Sequence, residues 1–325
     1  MQEKTDSFEL RDVASWKNYL REQGYVVVRG ALTDAQASEA LDGFWAIMEA
    51  LSSVRRDDAR THSRGTSWPP MLHGGMIQYL AHTPIQWALR SQCAKVFAAL
   101  WDTSERELAT SFDGLCFMHG ARGYRSGGDL VSFLHTDQHY ARREDWSVQG
   151  IVNLADCGPD DGGLVVVPGS HREHAGFFAT HAKRASIEGD WYLFDERERR
   201  AYEARALKVC AKAGDVLLFD SRTFHCNTVP TRRDAIRACA YVCQLPAKRV
   251  SYRVRAKRLA AVREGRVSSH HPGEGFKLFP SLPRFVTGRD AMLAKIRALQ
   301  APLELDALQR SLVCGPEHES LFAGV

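Results

Sequence analysis

The sequence predicts a mainly β protein flanked by helices, and three observations carry that expectation. From about residue 110 short apolar segments recur: LCFM, LVSFLH, VQGIVNLA, LVVVP, LKVCA, DVLLFD and AIRACAYVCQL. Between them lie glycine-rich or charged stretches such as HGARGYRSGGD and GPDDGG, the punctuation of a β-sandwich or barrel. Ahead of this region the apolar residues fall instead at helical intervals.

The flanking elements follow in order. Residues 12–23 (DVASWKNYLREQ) put Val13, Trp16 and Leu20 on one side of a helix, with Gly24 as its stop. GYVVVRG reads as a short strand, and Thr33-Asp34 cap a second helix that runs to about Leu51. The charged stretch SSVRRDDARTHSRGTSWPP is expected as a surface loop within one domain, and PIQWALRSQCAKVFAALW, residues 84–101, as another amphipathic helix. Residues 173–206 interrupt the strands and exceed an ordinary connection, so they form either a lid or a helical excursion. Their apolar anchors are Phe177, Phe178, Trp191, Tyr192 and Phe194, beside the charged run DERERRAYEAR. The expected organisation is one domain over 1–325, with its β core at about 105–247, an N-terminal helical flank at 1–104 and a C-terminal helical extension at 248–325.

At 325 residues, 44% of them apolar and 25% charged, the chain is long enough to bury a sizeable core. A formal charge of +4 permits an anionic ligand without arguing for nucleic acid. The eight cysteines form no CxxC pair, and MQEKTDSFEL has neither the basic start nor the apolar run of a signal peptide. Reduced thiols and a cytoplasmic location are therefore expected. No apolar run approaches the roughly 18 residues of a membrane span.

Two segments carry the chemistry. In FLHTDQHY, His135, Asp137 and His139 occupy alternate positions, which a strand would turn to one face. In KAGDVLLFDSRTFHCNTVP, His225 follows a buried strand. Two histidines and one carboxylate, two of them close in sequence and the third on a distant strand, match the facial triad of non-haem Fe(II) sites, here His135, Asp137 and His225. Such a triad leaves three coordination positions open. An HxD pair alone is weak evidence, since a histidine at a sheet rim is usually only hydrogen-bonded. Arg237, in the apolar row AIRACAYVCQL, adds to it: a guanidinium held there needs a carboxylate partner, either the far carboxylate of 2-oxoglutarate or a salt bridge at a strand end. Arg232 and Arg233 lie in the polar turn TRRD and read as solvated.

On these segments the chain resembles the phytanoyl-CoA dioxygenase family. GYVVVRGALTDAQASEAL is similar to that family's N-terminal segment, FLHTDQHY to its first ligand motif, DDGGLVVVPGSH to its glycine-rich turn and following strand, and KAGDVLLFD with His225 and Arg237 to its second ligand region. The resemblance spans roughly residues 12–245 and keeps the order of the elements. It implies a double-stranded β-helix, a jelly roll of the cupin type. It also implies that His135, Asp137 and His225 bind Fe(II), that Arg237 binds the C5 carboxylate of 2-oxoglutarate, and that Asn227 and Gln149 stand near that cosubstrate. The tryptophan that relatives often carry on the Gln149 strand is missing, and the nearest positions hold Ile151 and Asn153.

The activity so implied is a dioxygenase that uses O2, converts 2-oxoglutarate to succinate and CO2, and oxidises, most simply hydroxylates, a small organic substrate. Asp137 argues against halogenation, because related halogenases replace this carboxylate with Ala or Gly. The alternatives are a cupin-type Zn or Mn hydrolase or isomerase, which would not need Arg237, and a non-catalytic binding protein of the same fold.

The remaining polar residues are less specific. His139 and Tyr140 read as surface groups or as neighbours of the ligands, and His171 in PGSH as structural. Trp68 to Gln78, with Asp113, His119, Arg122 and Arg125, are candidates for a substrate mouth. The basic run KRVSYRVRAKRLAAVREGR, residues 248–266, reads as a solvated helix face rather than a nucleic-acid contact.

Overall fold

The structure is a computed structural model that describes residues 6–72, 75–123, 131–142, 147–181 and 189–317. In chain order the strands are β1 (Ser7–Glu9), β2 (Tyr25–Arg29), β3 (Met76–Ile77), β4 (Leu108–Thr110), β5 (Leu115–His119), β6 (His135–Thr136) and β7 (Val148–Asn153). They continue with β8 (Gly163–Val166), β9 (Tyr192–Leu193), β10 (Leu207–Lys208), β11 (Val216–Asp220), β12 (His225–Thr228), β13 (Ile236–Val242) and β14 (Gln244–Pro246). The helices are α1 (Val13–Gln23), α2 (Asp34–Leu51), α3 (Ala59–His62), α4 (Pro84–Trp101), α5 (Ser170–Ala179), α6 (Glu196–Glu203), α7 (Tyr252–Arg263), α8 (Arg289–Gln300) and α9 (Ala307–Cys314).

Two sheets face each other as a double-stranded β-helix. The larger has the order β1-β2-β11-β7-β13-β5-β3, and the smaller β10-β8-β12-β6-β9, with β14-β4 as a separate pair. The larger sheet thus takes β1, β2 and β3 from ahead of residue 105. Its strands are apolar on both faces because both faces are covered. Val26, Val28, Phe117, Val152 and Leu218 pack outward in one core with Phe44, Trp45, Met48, Leu89 and Phe97 of α2 and α4. The intervening residues Tyr25, Val27, Met118, Ile151, Leu217 and Phe219 turn inward and meet Leu164 and Val166 of the smaller sheet.

Local chemistry sets the helix ends. Thr33 and Thr83 each form a capping box with the glutamine three residues on, and Pro84 begins α4, where its missing N–H costs nothing. Gly24 ends α1 at φ +80°, and a Cβ there would lie 2.4 Å from the His171 Nδ1, so only glycine allows this approach.

Three expectations are corrected. LVSFLH does not continue as one strand through Asp137: only His135 and Thr136 pair, with turn geometry before and after them. The stretch at 52–70 is not merely a surface loop, because it contains α3 and sends Trp68 into the main core. The basic run is not simply a solvated face. Arg258 in α7 is fully buried and donates to four backbone carbonyls, those of Thr110, Pro272, Leu312 and Val313, at 2.5–3.1 Å. Arg255 donates to the carbonyls of Ala247, Val250 and Cys314. These arginines pin the C-terminal extension to the β core.

The described parts of 173–206 are packed. Phe178, Tyr192 and Phe194 cluster with Val131, Leu134, Val167 and Phe224, and β9 pairs antiparallel with β6, Thr136 opposite Tyr192. All eight cysteines are buried thiols outside any disulfide. Among the described residues no helix is long and apolar enough to cross a membrane.

Candidate metal centre

The two histidines are brought together by strand pairing. His135 on β6 and His225 on β12 are register partners across the smaller sheet, with ring centroids 4.2 Å apart. The same local device sets each ring. His135 Nδ1 bonds the carbonyl of Phe133 at 2.8 Å, and His225 Nδ1 bonds that of Thr223 at 2.8 Å. Each carbonyl bonds Nδ1, so the Nε2 atom of each ring is the one turned toward the position of a metal.

Asp137 lies just beyond β6, and its backbone N–H donates to the Ser221 carbonyl at 3.1 Å. Its carboxylate oxygens stand 3.8 Å from His135 Nε2 and 3.3 Å from His225 Nε2. Donor atoms from the three residues all lie within 4.8 Å of one another. Bonds of ~2.1 Å at right angles would place neighbouring donors roughly 3 Å apart, so the three side chains would draw inward on binding an ion. Burial alone would raise the Asp137 carboxyl, but the facing His135 and the contact with His225 hold it well below the usual carboxylate range. The site therefore presents a carboxylate, as a divalent metal requires.

Gln149 on β7 turns inward and donates its Nε2–H to Asp137 Oδ2 at 2.9 Å. It thus bonds the carboxylate of the cluster. Arg237 on β13 of the larger sheet meets Asn227 on β12 of the smaller, its Nη2 donating to Asn227 Oδ1 at 2.6 Å. Arg237 is 5% exposed, and its Nη1 has no hydrogen-bond partner. Burial works against its charge, and the neighbours that favour it are the thiols of Cys239, Cys116 and Cys157 and the phenol of Tyr241, none of which is a carboxylate. A buried guanidinium with one face unmatched is a receptor for an anion.

Two neighbours escape a reading of the sequence alone. The Tyr241 hydroxyl and Asn153 Nδ2 are also buried without partners. Tyr241 stands four residues after Arg237 on β13, hence on the same face, and Asn153 is two residues from Tyr241's register partner Ile151. Inward polar positions in an apolar strand were the available signal. The 2-oxoglutarate diacid fits this set, since its carboxylate would supply the acceptors that the guanidinium, hydroxyl and amide lack.

The other candidates lie elsewhere. The His139 ring stacks on Tyr140 at 4.3 Å and does not join the triad, and His171 Nε2 bonds the Arg21 carbonyl at 3.0 Å. Trp68 and His119 pack together with His62, and Arg122 lies over the Trp68 ring. Arg125 and residues 73–74 fall outside the described residues. Asp113 is buried, and burial pushes its carboxyl up to about 6. Arg232 is exposed and faces Asp161 and Asp234.

Comparison with known proteins agrees with the fold. A protein of Aspergillus versicolor, Ava biosynthesis cluster protein O, is 28% identical over 247 residues, 72% of this chain and 78% of that protein. A hypothetical protein of Escherichia coli, JW0805, superposes with a TM-score of 0.53 at 14% identity, covering 91% of this chain and 85% of the other, and so shares the fold. The epimerase SnoN, whose structure contains Fe3+, alpha ketoglutarate and nogalamycin RO, is similar at a TM-score of 0.49 and 17% identity over 73% of this chain and 84% of its own. The sequence profile described as phytanoyl-CoA dioxygenase (PhyH) matches residues 20–228, well over half of the chain, which belongs to that family of non-haem iron- and 2-oxoglutarate-dependent oxygenases.

Proposed function

We propose that this oxygenase hydroxylates a small organic substrate, with His135, Asp137 and His225 as its iron ligands and Arg237 as the anchor of the 2-oxoglutarate C5 carboxylate. The observation that carries the reading is the pairing of a three-donor cluster with a buried guanidinium whose Nη1 lacks a partner. Iron, 2-oxoglutarate and O2 together supply the oxidising power, with succinate and CO2 as by-products.

The chain's own residues bind, orient and exclude water. The carbonyls of Phe133 and Thr223 set the histidine tautomers, and Gln149 holds one oxygen of Asp137. Asn227 accepts from Nη2 and so aims the opposite edge of the guanidinium toward the cosubstrate. Tyr241 and Asn153 are assigned as its further donors. Ile151, Leu164, Val166 and Leu217 line the barrel and keep that end dry, which strengthens the charge pairing.

The test is succinate formation by purified protein with Fe(II), compared with Zn(II), followed by mass spectrometry of candidate substrates under 18O2. Iron-specific turnover with one labelled oxygen in the product supports hydroxylation. An unlabelled product two hydrogens lighter would assign desaturation or ring closure instead.

A further inference from the structure

Asp137 is held from both sides of its backbone, and one of the two holds comes from far along the chain. Its N–H donates to the Ser221 carbonyl. Its own carbonyl faces His271 Nε2 at 3.3 Å, a residue of the C-terminal extension that lies beyond the 20–228 match to the family. His271 is 3% exposed. Its Nδ1 lies 3.1 Å from the Ser147 hydroxyl, which is 2.7 Å from the hydroxyl of Ser221. These contacts settle the tautomer. A carbonyl can only accept, so Nε2 carries the hydrogen, Nδ1 accepts from Ser147, and Ser147 accepts from Ser221.

The loop that carries His271 is tied down by hydrogen bonds at several points. Ser268 N–H donates to the Phe112 carbonyl while its hydroxyl accepts from Phe112 N–H. Ser269 exchanges bonds with Lys277 and donates its hydroxyl to the Gly275 carbonyl. Arg258 grips the carbonyl of Pro272. The far side of the loop meets Arg142, whose guanidinium approaches so closely that a Cβ on Gly275 would lie 2.5 Å from it. Arg142 in turn bonds Asp190, which stands 3.9 Å from His271 Nε2 and 3.8 Å from Lys277 Nζ.

We propose that His271 is a positioning residue of the metal centre: its Nε2–H fixes the Asp137 carbonyl, so the C-terminal extension sets the direction of the carboxylate ligand. This rests on the reading of Asp137 as an iron ligand. A ligand that follows a two-residue strand needs such support, because ladder hydrogen bonds end at Thr136. Partners of this kind typically change metal affinity about 10- to 100-fold when removed.

The experiment is a titration of the metal-free full chain with Co(II), read by its visible absorption, alongside anaerobic Fe(II) binding and thermal midpoints of the metal-free forms. His271→Leu fills similar space without a donor, and His271→Gln offers an amide N–H. The expected result is a Kd for Co(II) raised about 10- to 100-fold in His271→Leu and largely recovered in His271→Gln, with similar midpoints. A folded His271→Leu that binds Co(II) within about twofold of the wild type overturns the proposal, since less than the expected range leaves no positioning effect. Should His271→Leu fail to fold, Ser147→Ala decides, because it frees the tautomer and leaves the ring: weakened Co(II) binding supports the role and unchanged binding overturns it. Wild-type protein that takes up no Co(II) would bring down the triad itself, an outcome separable from failure of His271 alone.

Discussion

His135 and His225 are separated by 90 positions in sequence yet are direct register partners across two antiparallel strands. Register in a buried sheet is strongly specified, because a slip by one residue turns every side chain to the other face. The pairing of β6 and β12 is therefore what assembles the candidate metal site, while each ring is set locally by the carbonyl two residues before it.

Substituting His135, Asp137 or His225 by alanine is expected to weaken Fe(II) binding by at least ~100-fold, more than loss of an outer partner, and to abolish succinate formation. The fold should persist, since the three residues sit at strand ends beside the core clusters. Anaerobic metal titration with circular dichroism checks both halves. A variant with near-normal turnover removes that residue from the triad.

Arg237→Ala should raise the 2-oxoglutarate requirement by roughly 30- to 1000-fold, the equivalent of about 2–4 kcal/mol for a charge-assisted contact in a shielded pocket. Iron affinity should change little. Lysine should rescue in part, because it lacks the planar fork, and Arg232→Ala should behave as wild type. A cosubstrate titration in which Arg237→Ala matches wild type would transfer the role to another cation.

Asp113 predicts a pH dependence of stability. Burial raises its folded pKa to about 6, so the native state binds this proton more tightly than the unfolded chain, whose aspartates titrate near ~3.9. Its contribution to stability is full below the unfolded value and is lost as pH rises through about 6. Asp113→Asn keeps the acceptor for the Gly114 N–H and cannot ionise. Denaturant unfolding should find this variant about 1–3 kcal/mol more stable than wild type at pH 8 and equal to it at pH 4. Parallel pH profiles would show that Asp113 is not held neutral.

Arg258→Met should destabilise the protein by about 3–5 kcal/mol, because four buried carbonyls lose their donor. The exposed Arg253 and Lys257 of the same helix are the controls, expected within ~0.5 kcal/mol of wild type. Chemical denaturation separates the two classes. Equal effects at all three positions would return the run to a solvated face.

Helix ends and the apolar cores of the strands were legible in the sequence because their causes are local: a threonine with a glutamine three residues on, a proline at a first turn, a glycine at a stop, and runs such as VVV and VLLF that demand cover on both faces. The triad was nameable because HxD and a distant histidine carry their chemistry in residue type. What the sequence could not decide was non-local. FLHTDQHY promised a strand that would align His139 with the ligands, but among the described residues β6 pairs with β12 and β9 only as far as Thr136. The basic run looked like a wet surface until α7 packed against α9 and buried Arg258 among carbonyls separated from it by up to 148 positions. His271 carries no motif at all, and it reached Asp137, 134 residues away, only through the folding of the extension. Which distant backbone carbonyl a side chain will reach leaves no trace in residue type, so the tertiary structure alone assigned these hydrogen bonds.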